Sequence, residues 1–265
     1  MNTQYPAGWF DFHCHFNDII DFDHVNINEE MREAQEAGVL HFFSCAYRKE
    51  QFDWHLSHPS EHMSWYAGIH PMFVEDTQQD ITALIELAEN KQICAIGEIG
   101  LDSRYDTHDT QERLMLMQLD IARSFDLPVV FHSVGKYYDI YKLVKKSFPK
   151  TRGIMHSFAS SDEVFQIFKI LGFAFSLGGP ILTSRNHETV LHHILEWGHY
   201  MLESDAPAQK PYFAQTEYCK LKHLPEIAVK ISEISGIDVT ALRNGTWHSL
   251  QELGMYNDKL GAQTS

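Results

Sequence analysis

Long apolar stretches are missing from this chain. None approaches the roughly 18 residues that a bilayer-spanning helix needs, so no membrane segment is expected. The opening residues, MNTQYPAGWFDFHCH, lack a basic stretch followed by an apolar core, and a secretory leader is not expected either. Cysteine is sparse: Cys14, Cys45, Cys94 and Cys219 lie far apart with no CxxC pair. They read as small buried hydrophobes in a reducing, cytoplasmic setting. Basic side chains are outnumbered, 21 against 36 acidic ones, for a formal net charge of −15. Gripping nucleic acid by bulk charge would need the opposite sign, although divalent cations held by carboxylates reverse the sign locally. Linkers, low-complexity runs and internal repeats are also absent. At 44% hydrophobic and 22% charged, the 265 residues have the composition of an ordinary globular protein.

Histidine, by contrast, is abundant at 17. His187, His192 and His193 share one helical stretch and read as surface residues, but others recur too regularly for that. Short apolar runs fall at Trp9–His15, Val39–Ala46, Ser64–His70, Gln92–Ile99, Leu127–His132, Arg152–Ser157, Gly172–Leu177 and Tyr200–Asp205. Their Val, Ile, Phe and Tyr content suits strands buried on both faces. Amphipathic stretches lie between them: Glu29–Ala37 behind an Asn28 N-cap, Thr77–Glu89, Asp109–Phe125 and Ser161–Leu171. Two more helices are expected within Leu224–Leu253, separated at Gly236. Eight strands alternating with helices predict an α/β fold with a parallel sheet, most simply a (β/α)₈ TIM barrel forming one domain over residues 1–265.

In such a barrel the catalytic residues sit at the C-terminal ends of the strands. Here those ends carry His13-Cys14-His15, His70, Glu98, His132, His156 and Asp205 after otherwise apolar runs. Alternation puts His13 and His15 on one face and Cys14 on the other, facing the barrel–helix layer. A single histidine at a strand end is usually just a hydrogen-bonded polar residue. Six ionisable ends at one mouth would repel or desolvate each other without a cation to join them. Imidazole and carboxylate donors suit Zn²⁺, Mn²⁺ or Fe²⁺, and Mg²⁺ less well. Six donors exceed what one tetrahedral ion needs, so at least two divalent metal ions are expected, with Glu98 placed to bridge them.

At these residues the chain resembles the TatD family of metal-dependent deoxyribonucleases, within the amidohydrolase-like barrels. The segments DFHCHF, GIHP, AIGEIGLD, VVFHS, MHSF and LESDAP occur in the family's order and span most of the chain. The resemblance implies one ion on His13, His15, Glu98 and Asp205, and a second on Glu98, His132 and His156. It also implies that His70 contacts the scissile phosphate, and some members bind a third ion. The chain departs from the family at Val134, where an Arg commonly follows the His-Ser of strand five. Arg104 and Lys136 are candidates to replace that cation, unless both are merely solvated. A second departure is Lys222-His223-Leu224-Pro225, where the family has an Arg-Asn-Glu-Pro-like segment.

The implied activity is hydrolysis of DNA phosphodiester bonds by a metal-bridging hydroxide, as a 3′–5′ exonuclease on single strands or 3′ ends. Asp205 is the expected general base, with Glu98 and His70 completing the catalytic set. Asp102 is a candidate to orient a ligand histidine, and Glu203 a supporting or rim carboxylate. The basic run Lys142, Lys145, Lys146, Lys150 and Arg152 belongs on the bottom face, away from the site. Two other readings stand beside this one. A metallohydrolase of the amidohydrolase type would act on an amide, ester or lactone, but the bridging Lys common there has no counterpart at a strand end. A partner-dependent nuclease subunit of a DNA repair or anti-phage defence complex would suit the acidic surface and the missing Arg.

Overall fold

A computed structural model of the chain describes residues 5–23, 25–184 and 187–256. Its elements run β1 (Trp9–Cys14), α1 (Phe16–Asp23), α2 (Ile27–Glu36), β2 (Val39–Ala46), α3 (Lys49–Ser57), β3 (Met63–Ala67) and α4 (Gln78–Glu89). They continue through β4 (Ile96–Asp102), α5 (His108–Phe125), β5 (Val129–Val134), α6 (Tyr137–Ser147), β6 (Gly153–Met155) and α7 (Asp162–Ile170). The last are β7 (Ala174–Leu177), α8 (His187–Trp197), β8 (Tyr200–Leu202), α9 (Leu224–Ser235) and α10 (Val239–Glu252). The eight strands pair in chain order, all parallel. One bridge between Cys14 and Ala206 joins the first strand to the segment after the last. The expected barrel is the fold observed.

Alternation divides the side chains into two layers. Phe10, Phe12, Phe43, Tyr66, Val130, Ile154 and Met201 fill the barrel interior, and Trp247 and Leu250 of α10 pack into the same cluster. Phe42, Ile99, Phe131, Phe175 and Leu202 point the other way, into the layer beneath the helices, and Cys14 joins them as the alternation predicted. Helix boundaries follow local capping. Ser161 accepts from the Val164 N–H at the start of α7, and Gly236, at φ 70°, ends α9. The cap of α2 is Asn26 rather than Asn28, because the extended Asn26 accepts the Asn28 N–H and lets the helix begin at Ile27.

Six strands differ from expectation at their upper ends: the fifth runs on to Val134 rather than His132, and the first and sixth stop at Cys14 and Met155, short of His15 and His156. The fourth starts later and runs to Asp102, because its top keeps pairing with β5 as far as Val134. The third and eighth stop at Ala67 and Leu202. Their His70 and Asp205 therefore stand on the segments leaving the strands, above the last ladder pairs.

Candidate metal centre

Two irregularities of pairing build this site. On β1, Asp11 pairs with Phe42 and Cys14 with Ser44, so three steps on one strand match two on the other. This is a bulge, which adds one residue and re-aims the chain beyond it. As a result Phe12, packed on Phe43 and Tyr66, and His13, whose Nδ1 meets the Tyr66 hydroxyl, both turn inward. On β4, Gly97 pairs with Val130 and Ile99 with Phe131, which leaves Glu98 as the extra residue. Gly100, at φ 153°, must be glycine, since a Cβ there would lie 1.9 Å from the His132 carbonyl oxygen.

All six donors named from the strand ends meet at one mouth. Glu98 lies at their centre, 3% exposed. Its Oε2 is 3.5 Å from His13 Nε2 and 3.6 Å from His15 Nε2. Its Oε1 is 2.7 Å from His156 Nε2 and 3.4 Å from His132 Nδ1. Asp205 Oδ1 closes the first group, 3.3 Å from His13 Nε2 and 3.2 Å from His15 Nε2. Asp205 is in the left-handed region, at φ 53°, and its N–H donates to the His13 carbonyl at 2.9 Å.

Around this ring stands a set of supporting groups. Asp102 Oδ2 is 3.1 Å from His132 Nε2, and Arg104 Nε sits 2.9 and 3.0 Å from the two Asp102 oxygens. Glu203 is fully buried rather than on the rim. Its Oε1 lies 3.7 Å from His156 Nδ1, while Oε2 accepts from the Ser176 hydroxyl at 2.5 Å. Asp11, buried in β1, accepts the Ser204 N–H at 2.9 Å and so ties the segment bearing Asp205 to the strand bearing His13. Tyr66, Ser176 and Asp11 were not singled out from the sequence. Asp11 alone gave a signal, as a carboxylate inside an apolar strand two residues before His13.

The donor set fits cations. Buried His15 Nδ1, His132 Nδ1, His156 Nδ1 and Asp205 Oδ1 have no hydrogen-bond partner. Donor atoms of His13, His15 and Asp205 lie within 4.8 Å of one another, as do those of His70, Glu98 and His132, and those of His13, His156 and Glu203. Cys45 reaches His15 and Glu98 in the same way. Burial raises its thiol pKa well above the usual value, which disfavours the thiolate a metal would take. Burial works against charge on His15 too, but the Asp205 and Glu98 carboxylates overcome it and lift its pKa to about 9. Glu98 shows the mirror image: burial would raise it, yet the His156 and His13 imidazoles hold it well below the usual carboxylate range. The mouth therefore draws positive charge.

His70 stands apart from that pattern. Burial pushes its pKa down to about 3, and its Nδ1 accepts the Met72 N–H at 3.0 Å. The neutral ring thus carries its hydrogen on Nε2. His70, Arg104 and the donors other than the fully buried His13 line a cavity of about 240 Å³ together with Tyr47 and Gln209. Of the two cations considered as substitutes at Val134, Arg104 lines this cavity, whereas Lys136 pairs with Asp139 at 3.5 Å. Lys222 pairs with Glu33 of α2 at 2.7 Å. Arg152, from the basic run, donates to the Leu253 carbonyl at the end of α10.

Residues 10–253 match the family model for TatD related DNases. The chain belongs to that family. The Bacillus subtilis metal-dependent hydrolase YabD is 25% identical over 94% of this chain and 99% of its own length. The 3′–5′ ssDNA/RNA exonuclease TatD of Escherichia fergusonii is 27% identical over 80% of this chain and 79% of its own. The crystal structure of YjjV, a TatD homologue from Escherichia coli K12, superposes with a TM-score of 0.84 at 25% identity, covering 92% of this chain and 97% of that one. TatD membership agrees with the eight-stranded barrel and makes the chain a metal-dependent hydrolase. No helix among the described residues is long and apolar enough to cross a membrane.

Proposed function

We propose that the chain acts as one domain that hydrolyses phosphodiester bonds of single-stranded nucleic acid from a 3′ end, using two divalent ions. The observation that carries this reading is the division of Glu98, one oxygen toward His13 and His15 and the other toward His132 and His156. On this reading His13, His15, Glu98 and Asp205 hold one ion, and Glu98, His132 and His156 hold the other. Zn²⁺ or Mn²⁺ suits these nitrogen-rich sets better than Mg²⁺. Cations bound there would activate water and offset the charge of a phosphodiester.

The protein's own groups divide the remaining work. Asp205 takes the proton of the attacking water on its carboxylate. His70 offers its Nε2–H to a phosphate oxygen, since its Nδ1 is already an acceptor. Arg104 turns a guanidinium toward the same cavity while its Nε stays on Asp102, and it supplies the positive charge that Val134 lacks. The relative named as a 3′–5′ ssDNA/RNA exonuclease supports the choice of substrate. A cytoplasmic setting is supported by the four cysteines, all unpaired thiols.

The test couples elemental analysis of protein purified without chelators to digestion of end-labelled single- and double-stranded oligonucleotides. Two metals per chain with a product ladder shortening from the 3′ end is the expected result. Intact protein that takes up neither Zn²⁺ nor Mn²⁺ would defeat the metal assignment. Metal-loaded protein that cleaves a lactone or amide panel and no oligonucleotide would move the chemistry to a carbonyl carbon.

A further inference from the structure

A second cavity, of about 370 Å³, adjoins the metal cavity on the side of β2 and β3. That volume is in the range of small-molecule sites. Met72 lines both cavities, so they share a wall. Two aromatic links cross that wall. Tyr47 lines the metal cavity and stacks on Phe73 of the second, with centroids 4.8 Å apart and planes 12° from parallel. Arg104 lines the metal cavity and lies 5.7 Å from the ring of Tyr105, which lines the second.

Phe73 is half-buried and lines this groove. The Arg48 guanidinium is 4.0 Å from its ring centre and 5.6 Å from that of Tyr47. Two groups stacked on opposite faces of one ring would lie farther apart than that, so Arg48 and Tyr47 back Phe73 from the same side. The other face is left for the groove. The carboxylates lining the groove narrow the choice of occupant. Glu50, Glu75 and Asp76 are exposed there and would repel a phosphate. A flat neutral ring meets no such penalty.

We propose that this groove is a stacking subsite for one base of a single-stranded nucleic acid, with Phe73 taking the face of the base. The inference rests on the phosphodiester reading above. It assigns the phosphate to the cavity with the metal donors and a neighbouring base to the groove. Base–aromatic stacking of this kind is tolerant of sequence, so the subsite would register strand position without selecting a particular base.

The experiment is a cycle of binding measurements on Mn²⁺-supplemented protein. A labelled single strand with phosphorothioate linkages, which resist the cleavage proposed above, carries one abasic nucleotide, moved stepwise from the 3′ end, and is compared with the same strand lacking the abasic site on wild-type and Phe73→Ala protein. Wild type should lose about ten-fold in affinity at one position only. Phe73→Ala should lose a similar factor on the intact strand and nothing further on the strand abasic at that position. Phe73→Trp should restore binding, and metal content and melting temperature verify that each variant is folded. A flat abasic profile on the wild type, or losses that simply add, would overturn the subsite while leaving the nuclease reading in place. If oligonucleotides are neither bound nor cleaved by metal-loaded wild type, both inferences fall.

Discussion

The two ends of the barrel treat the same side chain in opposite ways. At the floor, His41 of β2 is 5% exposed, bonds to the Ser64 hydroxyl at 2.9 Å and packs against Phe10, Phe43 and Tyr256. Burial there, with His62 nearby, pushes its pKa down to about 4. At the mouth, His15 is 8% exposed, yet carboxylates lift its pKa to about 9. Similar burial goes with opposite shifts, so the partners decide, and the partners differ with position along the barrel. Below, strands meet rings and methyl groups. Above, the same strands end in carboxylates and imidazoles whose buried atoms lack partners of their own. The floor holds the fold together, and the mouth is arranged for an occupant.

Substitutions should separate the two ends cleanly. The largest expected effect is that of Glu98→Gln, which removes the carboxylate both donor groups share. Bound metal by elemental analysis and all turnover should be lost together. Asp205→Asn should lower turnover by about 10²–10⁴-fold while the ion assigned to Glu98, His132 and His156 stays bound, and activity surviving that change would remove Asp205 from the role of base. Phe43→Ala at the floor should do the reverse, with about 3–5 kcal/mol lost in chemical denaturation and turnover per folded molecule near wild type. Asp102→Asn, which weakens the acceptor for His132 and the anchor of Arg104, should reduce metal affinity by about 10–100-fold in a competition titration. An unchanged affinity would make Asp102 a purely local loop contact.

The smallest effect is one of pH. His41 is held neutral, with a folded pKa of about 4 against an ordinary 6.5. The unfolded chain therefore binds its proton first, and the stability this site contributes is intact above pH 6.5. It declines as pH falls toward 4, by on the order of 1–3 kcal/mol. His41→Gln in metal-free protein should flatten that part of the acid limb of a melting-temperature profile. A steeper limb in the variant would contradict the assignment of a neutral floor histidine.

Much of this architecture is legible from residue types alone. The alternation of apolar strands with amphipathic helices marks the barrel, and ionisable residues closing those strands mark the mouth. The short helices α1 and α3 were not marked out. Both carry mixed residues, and α3 lacks a side-chain N-cap bond. Periodicity also could not show where pairing slips, because an added residue leaves the composition of a strand untouched. His13 and Cys14 were read correctly as facing opposite ways, but Phe12 turning inward beside His13 follows only from the register with β2. The choice of Arg104 over Lys136 likewise depends on distance in space. Arg104 is anchored by a carboxylate two residues away at the cavity edge, and Lys136 is drawn to Asp139 in the first turn of α6.

The two bulges amount to a change of phase partway up a strand. Below the slip, one set of alternate residues must be large and apolar to fill the barrel; above it, the inward set is counted from a new origin. The lower register can thus stay tuned for packing while the upper one is free to present whatever donors the mouth requires. Removing Glu98 would therefore delete the shared ligand and little else of the strand's pattern. Gly97 would be followed by Ile99 in even alternation, with Ile99 and Leu101 still in the layer beneath the helices and their pairing with β5 unchanged.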